Sequence, residues 1–215
     1  MKVINFAEQQ TVVNRYMSEL RDVCIQKDRA RFRRNLERIG EVMAYEISKT
    51  LDYSVKDIQT PLGTAPTLLY NDPIVLGTIF RAGLPFHQGF LNVFEEADNA
   101  FVSAYRFYKD KECHEVGIHI EYLATPDLNG KTLIIADPML ATGGSLIATI
   151  DILKKRGCKH ICSLNLVCAP EGIAKVQEKH PDVEIYTASV DSHLNENGYI
   201  IPGLGDAGDR IFGTK

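Results

Sequence analysis

The 215-residue sequence lacks the long apolar runs and the positive charge that mark two broad classes of protein. No run approaches the roughly 18 uninterrupted apolar residues of a membrane-spanning helix. In the N-terminal segment MKVINFAEQQ no apolar region follows Lys2, so no signal peptide is expected. The formal net charge is −4, whereas general nucleic-acid binders are basic. We therefore expect a cytoplasmic protein without a membrane or nucleic-acid partner.

Disulfides and metal sites built on cysteine also have little support in the sequence. The count of five Cys is odd, no two of them have CxxC spacing, and no His/Cys cluster suggests zinc. We expect reduced, mostly buried thiols and no zinc site. The cysteines are Cys24, Cys113, Cys158, Cys162 and Cys168.

What the sequence does contain is enough apolar material, 45% of its residues, for one globular domain with a sizeable core. Apolar residues at three- and four-residue spacing predict N-terminal helices within residues 1–60. The stretch 60–72, rich in Pro, Thr and Gly, is predicted to be a loop. Residues 73–190 would form the core sheet, and the polar, Gly-rich residues 191–215 would close the same domain.

The core alternates between apolar strands and helical segments. The run TLIIA (132–136) is continuously apolar, as in strands that are covered on both faces. A helical pattern over 145–157, a strand at 161–169, a short helix at 170–180 and a strand at 183–189 follow it. This alternation predicts an α/β fold with a central parallel sheet flanked by helices.

The segment ADPMLATGGSLIATI (136–150) joins the first of these strands to its helix. Ligands of parallel sheets bind beyond the carboxyl ends of the strands, where this segment lies. Its Thr-Gly-Gly-Ser (142–145) would present backbone N–H groups at a helix N-terminus, a geometry that binds phosphate. Asp137 is an acceptor when ionised and suits sugar hydroxyls or a metal-bound water. Together the two features describe a phosphorylated sugar.

Taken alone, this segment leaves two interpretations open. It is not a Walker loop, which ends in Gly-Lys-Ser/Thr, and it is not the GxGxxG fingerprint. An ordinary strand-to-helix turn with a Ser cap would explain a lone Thr-Gly-Gly-Ser about as well as a phosphate site does.

Combined with other segments, the loop resembles one family. An apolar strand, an acid and ATGGS are similar to the ribose-5-phosphate loop of the type I phosphoribosyltransferases. The form DPMLATGGS, with Pro138 where most of that superfamily has a second acid, resembles the uracil phosphoribosyltransferases. FRAGL (80–84), PEGI (170–173) and GYIIPGLGDAGDRIFGTK (198–215) match them as well. The resemblance covers nearly the whole chain and implies the type I phosphoribosyltransferase fold with a C-terminal base-binding hood.

This resemblance implies the pyrimidine-salvage reaction of uracil with 5-phosphoribosyl-1-diphosphate (PRPP), which gives UMP and diphosphate. Its transition state resembles an oxocarbenium ion at the ribose anomeric carbon. Arg81 and Arg106, each near the end of an apolar strand, would bind the diphosphate. The implied catalytic residues are Arg81, Asp137 and Asp206. The implied PRPP-binding residues are these three and Arg106, together with Pro138, Met139, Leu140, Ala141, Thr142, Gly143, Gly144 and Ser145.

By the same resemblance the C-terminal segment forms the uracil site. Ile200, Gly205, Asp206 and Ala207 would contact uracil, whose carbonyl–NH–carbonyl edge can be matched by backbone groups. A role of Asp206 as the base for uracil N1 is a hypothesis. Mg²⁺ is implied because PRPP is used as its magnesium complex, and Asp137 or Asp206 would supply at most one or two ligands. No direct protein ligand is assigned.

Regulation, assembly and the base remain open at this point. Some family members are activated by GTP, and the basic stretch RARFRRNLER (29–38) is the candidate site, the alternative being a solvated or subunit-facing helix side. The family forms homodimers or homotetramers, and the N-terminal helical part is the candidate interface. The same fold occurs in nucleotide-sensing, RNA- or DNA-binding regulators and in purine enzymes. The net charge and the GYIIPGLGDAGD tail favour the uracil enzyme over both.

Overall fold

The computed structural model describes residues 2–108 and 116–213, without the side chains at 105–108 and 116–118. Twelve strands are described, eight in a central sheet and four in two hairpins. In chain order they are β1 (Val3–Asn5), β2 (Tyr53–Thr60), β3 (Gly63–Tyr70), β4 (Ile74–Phe80), β5 (Asp98–Tyr108), β6 (Val116–Ala124), β7 (Thr132–Ala136), β8 (Met139–Leu140), β9 (His160–Cys168), β10 (Glu184–Val190), β11 (His193–Leu194) and β12 (Ile200–Ile201).

The central sheet confirms the predicted α/β architecture. Seven of its strands lie in the order β1-β10-β9-β7-β4-β5-β6, and the short β8 pairs with β9. The pairs are parallel, apart from β5 with β6 at one edge, which are antiparallel. The carboxyl ends of β4, β7 and β9 therefore lie side by side, which is where parallel sheets bind ligands.

Helices cover both faces of this sheet. They are α1 (Val12–Arg21), α2 (Arg29–Ser48), α3 (Leu84–Leu91), α4 (Gly144–Lys154), α5 (Pro170–Lys179) and α6 (Ala207–Phe212). Alternate residues of β7 face the two layers, because successive side chains of a strand point in opposite directions. Ile134 packs with α1, α2, α3 and α6, whereas Leu133 and Ile135 pack with α4 and α5. The continuous apolar run is thus covered on both sides, as predicted.

The apolar spacing in α2 is confirmed as a buried face. Leu36, Ile39, Met43 and Ile47 are each at most 2% exposed. The helix begins after Asp28, whose side chain accepts a hydrogen bond from the Arg31 backbone N–H at 3.0 Å. An acidic N-cap of this kind satisfies a donor that the first helical turn leaves unpaired.

Two boundaries differ from the prediction. The stretch 60–72, predicted as a loop, is largely strand: β2 and β3 form an antiparallel hairpin with Tyr53 opposite Tyr70 and Thr60 opposite Gly63. The N-terminal helices accordingly end at Ser48 rather than near residue 60. Most side chains on both strands of this hairpin are exposed, so it shows no alternation of buried and exposed residues.

The closing segment 191–213 is more ordered than its Gly-rich composition indicates. A short hairpin pairs His193 with Ile201 and Leu194 with Ile200, and α6 follows. Ile200, Leu204 and Ala207 are each at most 3% exposed and join the core cluster that contains α1 and α2. Within the described ranges, the helices are all too short or too polar to cross a bilayer.

Candidate active site

Two adjoining cavities open at the carboxyl ends of β4 and β7. The loop cavity, about 320 Å³, is lined by residues 139–146 with Asp137, Arg81 and Asp206. The tail cavity, about 600 Å³, is lined by residues 197–199 and 205–208, again with Arg81. Both are also bordered by Phe80, Ala82, Ala104, Met139, Ala141 and Asp206. They form one cleft with a polar loop at one end and the C-terminal segment at the other.

The loop cavity is built on the start of α4. The first hydrogen bond of this helix runs from the Ile147 N–H to the Gly143 carbonyl, so the N–H groups at 144–146 have no acceptor within the helix. The cap position is Gly143, with φ +78° and no side-chain hydrogen bond. The alternative of a simple Ser cap is therefore wrong. Free N–H groups at the positive end of a helix dipole attract an anion.

The backbone of this loop leaves no space for larger residues. A Cβ at Gly143 would lie 3.1 Å from the Gly172 carbonyl oxygen in α5, and its positive φ is strained for other residues. A Cβ at Gly172 would in turn overlap the carbonyl oxygen of Ala141. The close approach of α5 fixes the loop from behind and accounts for a glycine on each side.

Asp137 is held at the end of β7 by its own peptide groups. Its N–H donates to the Leu164 carbonyl at 3.0 Å, and its carbonyl accepts from the Asn165 side-chain amide at 2.7 Å. Its carboxylate accepts from the Met139 N–H at 3.3 Å and lines the loop cavity. The strand-end acid predicted from the sequence thus has a fixed backbone and a half-buried side chain.

Arg81 follows β4 directly and borders both cavities. The peptide bond before it is cis. Arg81 thus lies between the polar loop and the C-terminal segment. Arg106 lies in β5, where its backbone pairs with Ile118, and its side chain lies outside the described part of the chain.

The C-terminal residues Gly205, Asp206 and Ala207 border the tail cavity. Asp206 is also the N-cap of α6, where its carboxylate accepts from the Asp209 N–H at 3.1 Å. Gly205 has φ +84°. The hairpin between β11 and β12 forms the opposite rim with Asn197, Gly198 and Tyr199.

Two predicted residues lie behind the cavity wall. Pro138 is buried, and its carbonyl accepts from the Leu166 and Val167 N–H groups of β9, each at 3.0 Å. Ile200 is 3% exposed, and its side chain joins the core. Pro138 has no N–H and its carbonyl is already occupied, so it can only shape the loop, whereas Ile200 could contact a ligand through its backbone but not through its buried side chain.

Sequence reasoning missed several cavity residues. Phe80 and Ala82 flank Arg81 and could have been included with it. Ser103 and Ala104 come from the middle of β5 and carry no motif. Asn197 and Gly198 end the sequence Asn-Glu-Asn-Gly (195–198), a composition typical of tight hairpin turns. This turn, which forms a rim of the tail cavity, could have been predicted from those residues.

The donor set of the loop cavity suits a hard cation. Asp137 and Asp206 border it, and Mg²⁺ prefers one or two carboxylates with substrate phosphates and water. Among the described residues, no group of three or more His, Cys, Asp or Glu side chains gathers to hold a metal. The cavity fits a magnesium ion carried by a phosphorylated ligand better than a metal held by protein alone.

The basic stretch 29–38 is largely occupied by contacts within the chain. Arg31 pairs with Glu19 at 2.8 Å, and Arg33 donates to the Ile211 carbonyl at 2.9 Å. Arg34 pairs with Glu37 at 3.0 Å, and the Arg38 guanidinium lies 5.5 Å from the Tyr16 ring centre. Arg31, Arg33 and Arg38 thus join α2 to α1 and α6, and Arg34 is paired within α2, which reduces the positive charge available to an external anion.

A third cavity, about 370 Å³, lies at the opposite end of the strands, beside the amino ends of β7, β9 and β10. Lys159 there lies 3.0 Å from Asp52 and 3.1 Å from Asp72. Glu184 accepts a hydrogen bond from the Tyr186 hydroxyl at 2.8 Å. The described lining of this cavity includes no glycine and no residue at a helix N-terminus, and its lysine is paired with carboxylates, so the cleft at the carboxyl ends is the stronger candidate for the active site.

Comparisons with known proteins agree on one family. The family model described as uracil phosphoribosyltransferase matches residues 7–214. A uracil phosphoribosyltransferase of Porphyromonas gingivalis is 50% identical over the full length of both chains. The solved structure of the AQ2163 protein from Aquifex aeolicus is 32% identical, covers 99% of each chain and has a TM-score of 0.89. A hypoxanthine phosphoribosyltransferase from Staphylococcus aureus, 14% identical, covers 79% of this chain and 83% of its own with a TM-score of 0.50, a likeness of fold.

Proposed function

The chain belongs to the uracil phosphoribosyltransferase family, whose members convert uracil and PRPP to UMP and diphosphate, and we propose that the cleft at the carboxyl ends of β4 and β7 carries out this reaction. We assign one substrate to each cavity because the two cavities adjoin. Arg81 and Asp206 border both, so one substrate bound along the loop would meet a second bound under the tail at these residues.

The 5-phosphate of PRPP is assigned to the start of α4. Its oxygens would accept from the N–H groups of Gly144 and Ser145 and from the Thr142 and Ser145 hydroxyls. Residues 138–141 and Gly143 would shape the loop around it. Asp137 would accept hydrogen bonds from the ribose hydroxyls, which orients the anomeric carbon toward the tail cavity.

The leaving group is assigned to the arginines. As the bond between the anomeric carbon and diphosphate breaks, positive charge develops on the ribose ring and negative charge on diphosphate. Arg81, with Arg106 as its partner, would stabilise the departing oxygens by charge-assisted hydrogen bonds. Mg²⁺ would neutralise part of this charge, and Asp137 or Asp206 would provide at most one or two of its ligands.

Uracil is assigned to the tail cavity. Backbone groups at Ile200 and at Gly205–Ala207 would match its carbonyl–NH–carbonyl edge. A site built to pair with a carbonyl rejects an amino group, because a buried donor is then left unpaired, so cytosine should be a poor substrate. As the new bond forms between the anomeric carbon and N1, the N1 proton leaves, and Asp206 is the candidate acceptor.

Assembly, location and regulation follow the family in this proposal. The protein is proposed to act in the cytoplasm as a homodimer or homotetramer. Apolar side chains exposed on the β2–β3 hairpin, among them Val55, Leu62 and Leu68, support assembly. GTP is proposed as an effector, with 29–38 as the segment to test first. The internal partners of Arg31 and Arg33 make this segment a weaker candidate than its composition indicates.

The test is formation of UMP from uracil and PRPP by the purified full chain, with and without Mg²⁺ and with and without GTP. Turnover with uracil, and none with cytosine or hypoxanthine, is the expected result. Asp137→Asn keeps the side-chain size and removes the charge, so it should abolish most turnover and serve as the matched inactive control. Equal turnover of a purine base would overturn the assignment of the tail cavity.

A further inference from the structure

A salt bridge links the first long helix to the segment that closes the active site. The guanidinium of Arg21, the last residue of α1, holds the carboxylate of Asp191 with two hydrogen bonds of 2.9 and 2.6 Å. The Asp191 side chain is 3% exposed and that of Arg21 is 24% exposed. A bidentate pair with one buried partner fixes geometry far better than an exposed ion pair does.

The same two side chains bind both backbone polar groups of Gly203 in the C-terminal loop. The Gly203 N–H donates to Asp191 at 2.8 Å, and the Gly203 carbonyl accepts from Arg21 at 3.0 Å. The Ser189 hydroxyl donates to the other carboxylate oxygen at 2.9 Å. Burial opposes ionisation of Asp191, yet the hydrogen bonds from Arg21 and Ser189 outweigh it and lower the pKa of this carboxyl group.

Gly203 is the centre of the turn that separates the core from the tail cavity. It has φ +60°, and a Cβ at this position would overlap the Ile200 carbonyl oxygen. Ile200 and Leu204 on either side are buried in the core, whereas Gly205 and Asp206 border the cavity. A displacement of the Gly203 peptide would therefore move the backbone assigned to uracil.

We propose that Arg21 and Asp191 are positioning residues for the uracil half of the active site. They act through Gly203 and touch no substrate: α1 supplies no residue to either cavity as far as the chain is described. The phosphate loop at 142–145 has no contact with this pair among the hydrogen bonds described. Breaking the pair should therefore act mainly on uracil, with Asp206, which borders both cavities, as the one described residue of the C-terminal segment shared with the PRPP half. This inference rests on the proposed function and extends it.

Two arginines of α2 support the same region. Arg33 donates to the Ile211 carbonyl in the last turn of α6 at 2.9 Å, and the Arg29 guanidinium packs against Gly213 so closely that a Cβ there would overlap it. The uracil segment is held at Gly203 and at Ile211 by arginines of the N-terminal helices.

The test uses the purified full chain and separate Michaelis constants for the two substrates. Turnover by the unaltered chain tests the proposed function alone, so its failure is distinguishable from that of the inference. Arg21→Ala should raise the KM for uracil about tenfold or more and change the KM for PRPP by less than about twofold. Arg21→Lys keeps the charge but cannot hold both Asp191 oxygens and the Gly203 carbonyl at once. Its KM for uracil should therefore lie between those of the unaltered chain and Arg21→Ala.

Glu19→Gln is the matched control, because it breaks another bidentate pair of α1, with Arg31, that does not reach Gly203. It should lower the melting temperature and leave the ratio of the two KM values unchanged. If Arg21→Ala does not fold, the two KM values are compared in Arg21→Lys and in Ser189→Ala, which removes one hydrogen bond to Asp191. Equal rises in both KM values, or a ratio unchanged in the folded variants, would overturn the inference.

Discussion

The side-chain amide of Asn165 donates a hydrogen bond of 2.7 Å to the backbone carbonyl of Asp137. Asn165 lies within β9 and is fully buried, and its own carbonyl oxygen accepts from the Ser163 hydroxyl at 3.0 Å. A polar side chain in the middle of an apolar strand thus supports the peptide group of the acid at the end of the neighbouring strand. Buried hydrogen bonds of this kind are costly to leave unmade.

We expect Asn165→Leu to destabilise the protein by about 1–3 kcal/mol, because the Asp137 carbonyl would lose a buried donor. The KM for PRPP should rise with it, since the ribose acid would be less well held. Urea unfolding and initial rates measure the two effects. Thr149→Val is the control: its buried hydroxyl has no hydrogen-bond partner among the described residues, so its loss should be nearly neutral. An equally stable Asn165→Leu protein would contradict the argument.

Asp206 combines a structural and a chemical role that two substitutions can separate. Asn accepts a hydrogen bond at an N-cap as well as Asp does, so Asp206→Asn should keep α6 intact while removing the charge. Asp206→Ala should lose both and cost about 1 kcal/mol of stability in addition. We expect a large fall in kcat for both variants and a lower melting temperature for the alanine variant alone. Full activity of Asp206→Asn would eliminate this residue as the base.

Gly172 in α5 supports the phosphate loop from behind. Alanine is normally preferred in a helix, by about 1 kcal/mol over glycine, but here its Cβ would overlap the Ala141 carbonyl oxygen. Gly172→Ala should therefore push the loop forward and raise the KM for PRPP, with the KM for uracil little changed. Gly63→Ala, where a Cβ would meet nothing within 4 Å, is the matched substitution that should leave both constants as they are. A neutral Gly172→Ala would mean that the loop is free to shift.

Much of the fold follows from local sequence, because the core strands are covered on both faces. TLIIA predicted β7, and the apolar spacing of Leu36, Ile39 and Met43 predicted the buried face of α2. The β2–β3 hairpin escaped prediction for the opposite reason. Its side chains are mostly exposed on both strands, and Pro66 lies within β3, so neither alternation nor composition indicated a strand.

The site divides in the same way between local and distant information. The phosphate loop and Arg81 follow from contiguous motifs, and the structure brings them to one cleft. The support from Asn165 and the pair of Arg21 with Asp191 could not be predicted, because they join residues 28 and 170 positions apart. For the first of these two interactions, the sequence offers one indication: Asn165 lies in an apolar strand, and a buried amide needs a hydrogen-bond partner.

The last prediction concerns stability in acid and the buried carboxylate of Glu19. Hydrogen bonds from Arg31 and then Asn35 lower the pKa of Glu19 from 4.5 to about 2, although burial opposes this. As the pH falls below 4.5, the unfolded chain takes up a proton at Glu19 before the folded chain does, so folding stability declines until the pH reaches about 2. Glu19→Gln cannot titrate there. The stability difference between the unaltered chain and this variant, from urea unfolding at several pH values, should be constant above 4.5 and shrink steadily toward 2. A difference independent of pH would show that Glu19 contributes through packing rather than charge.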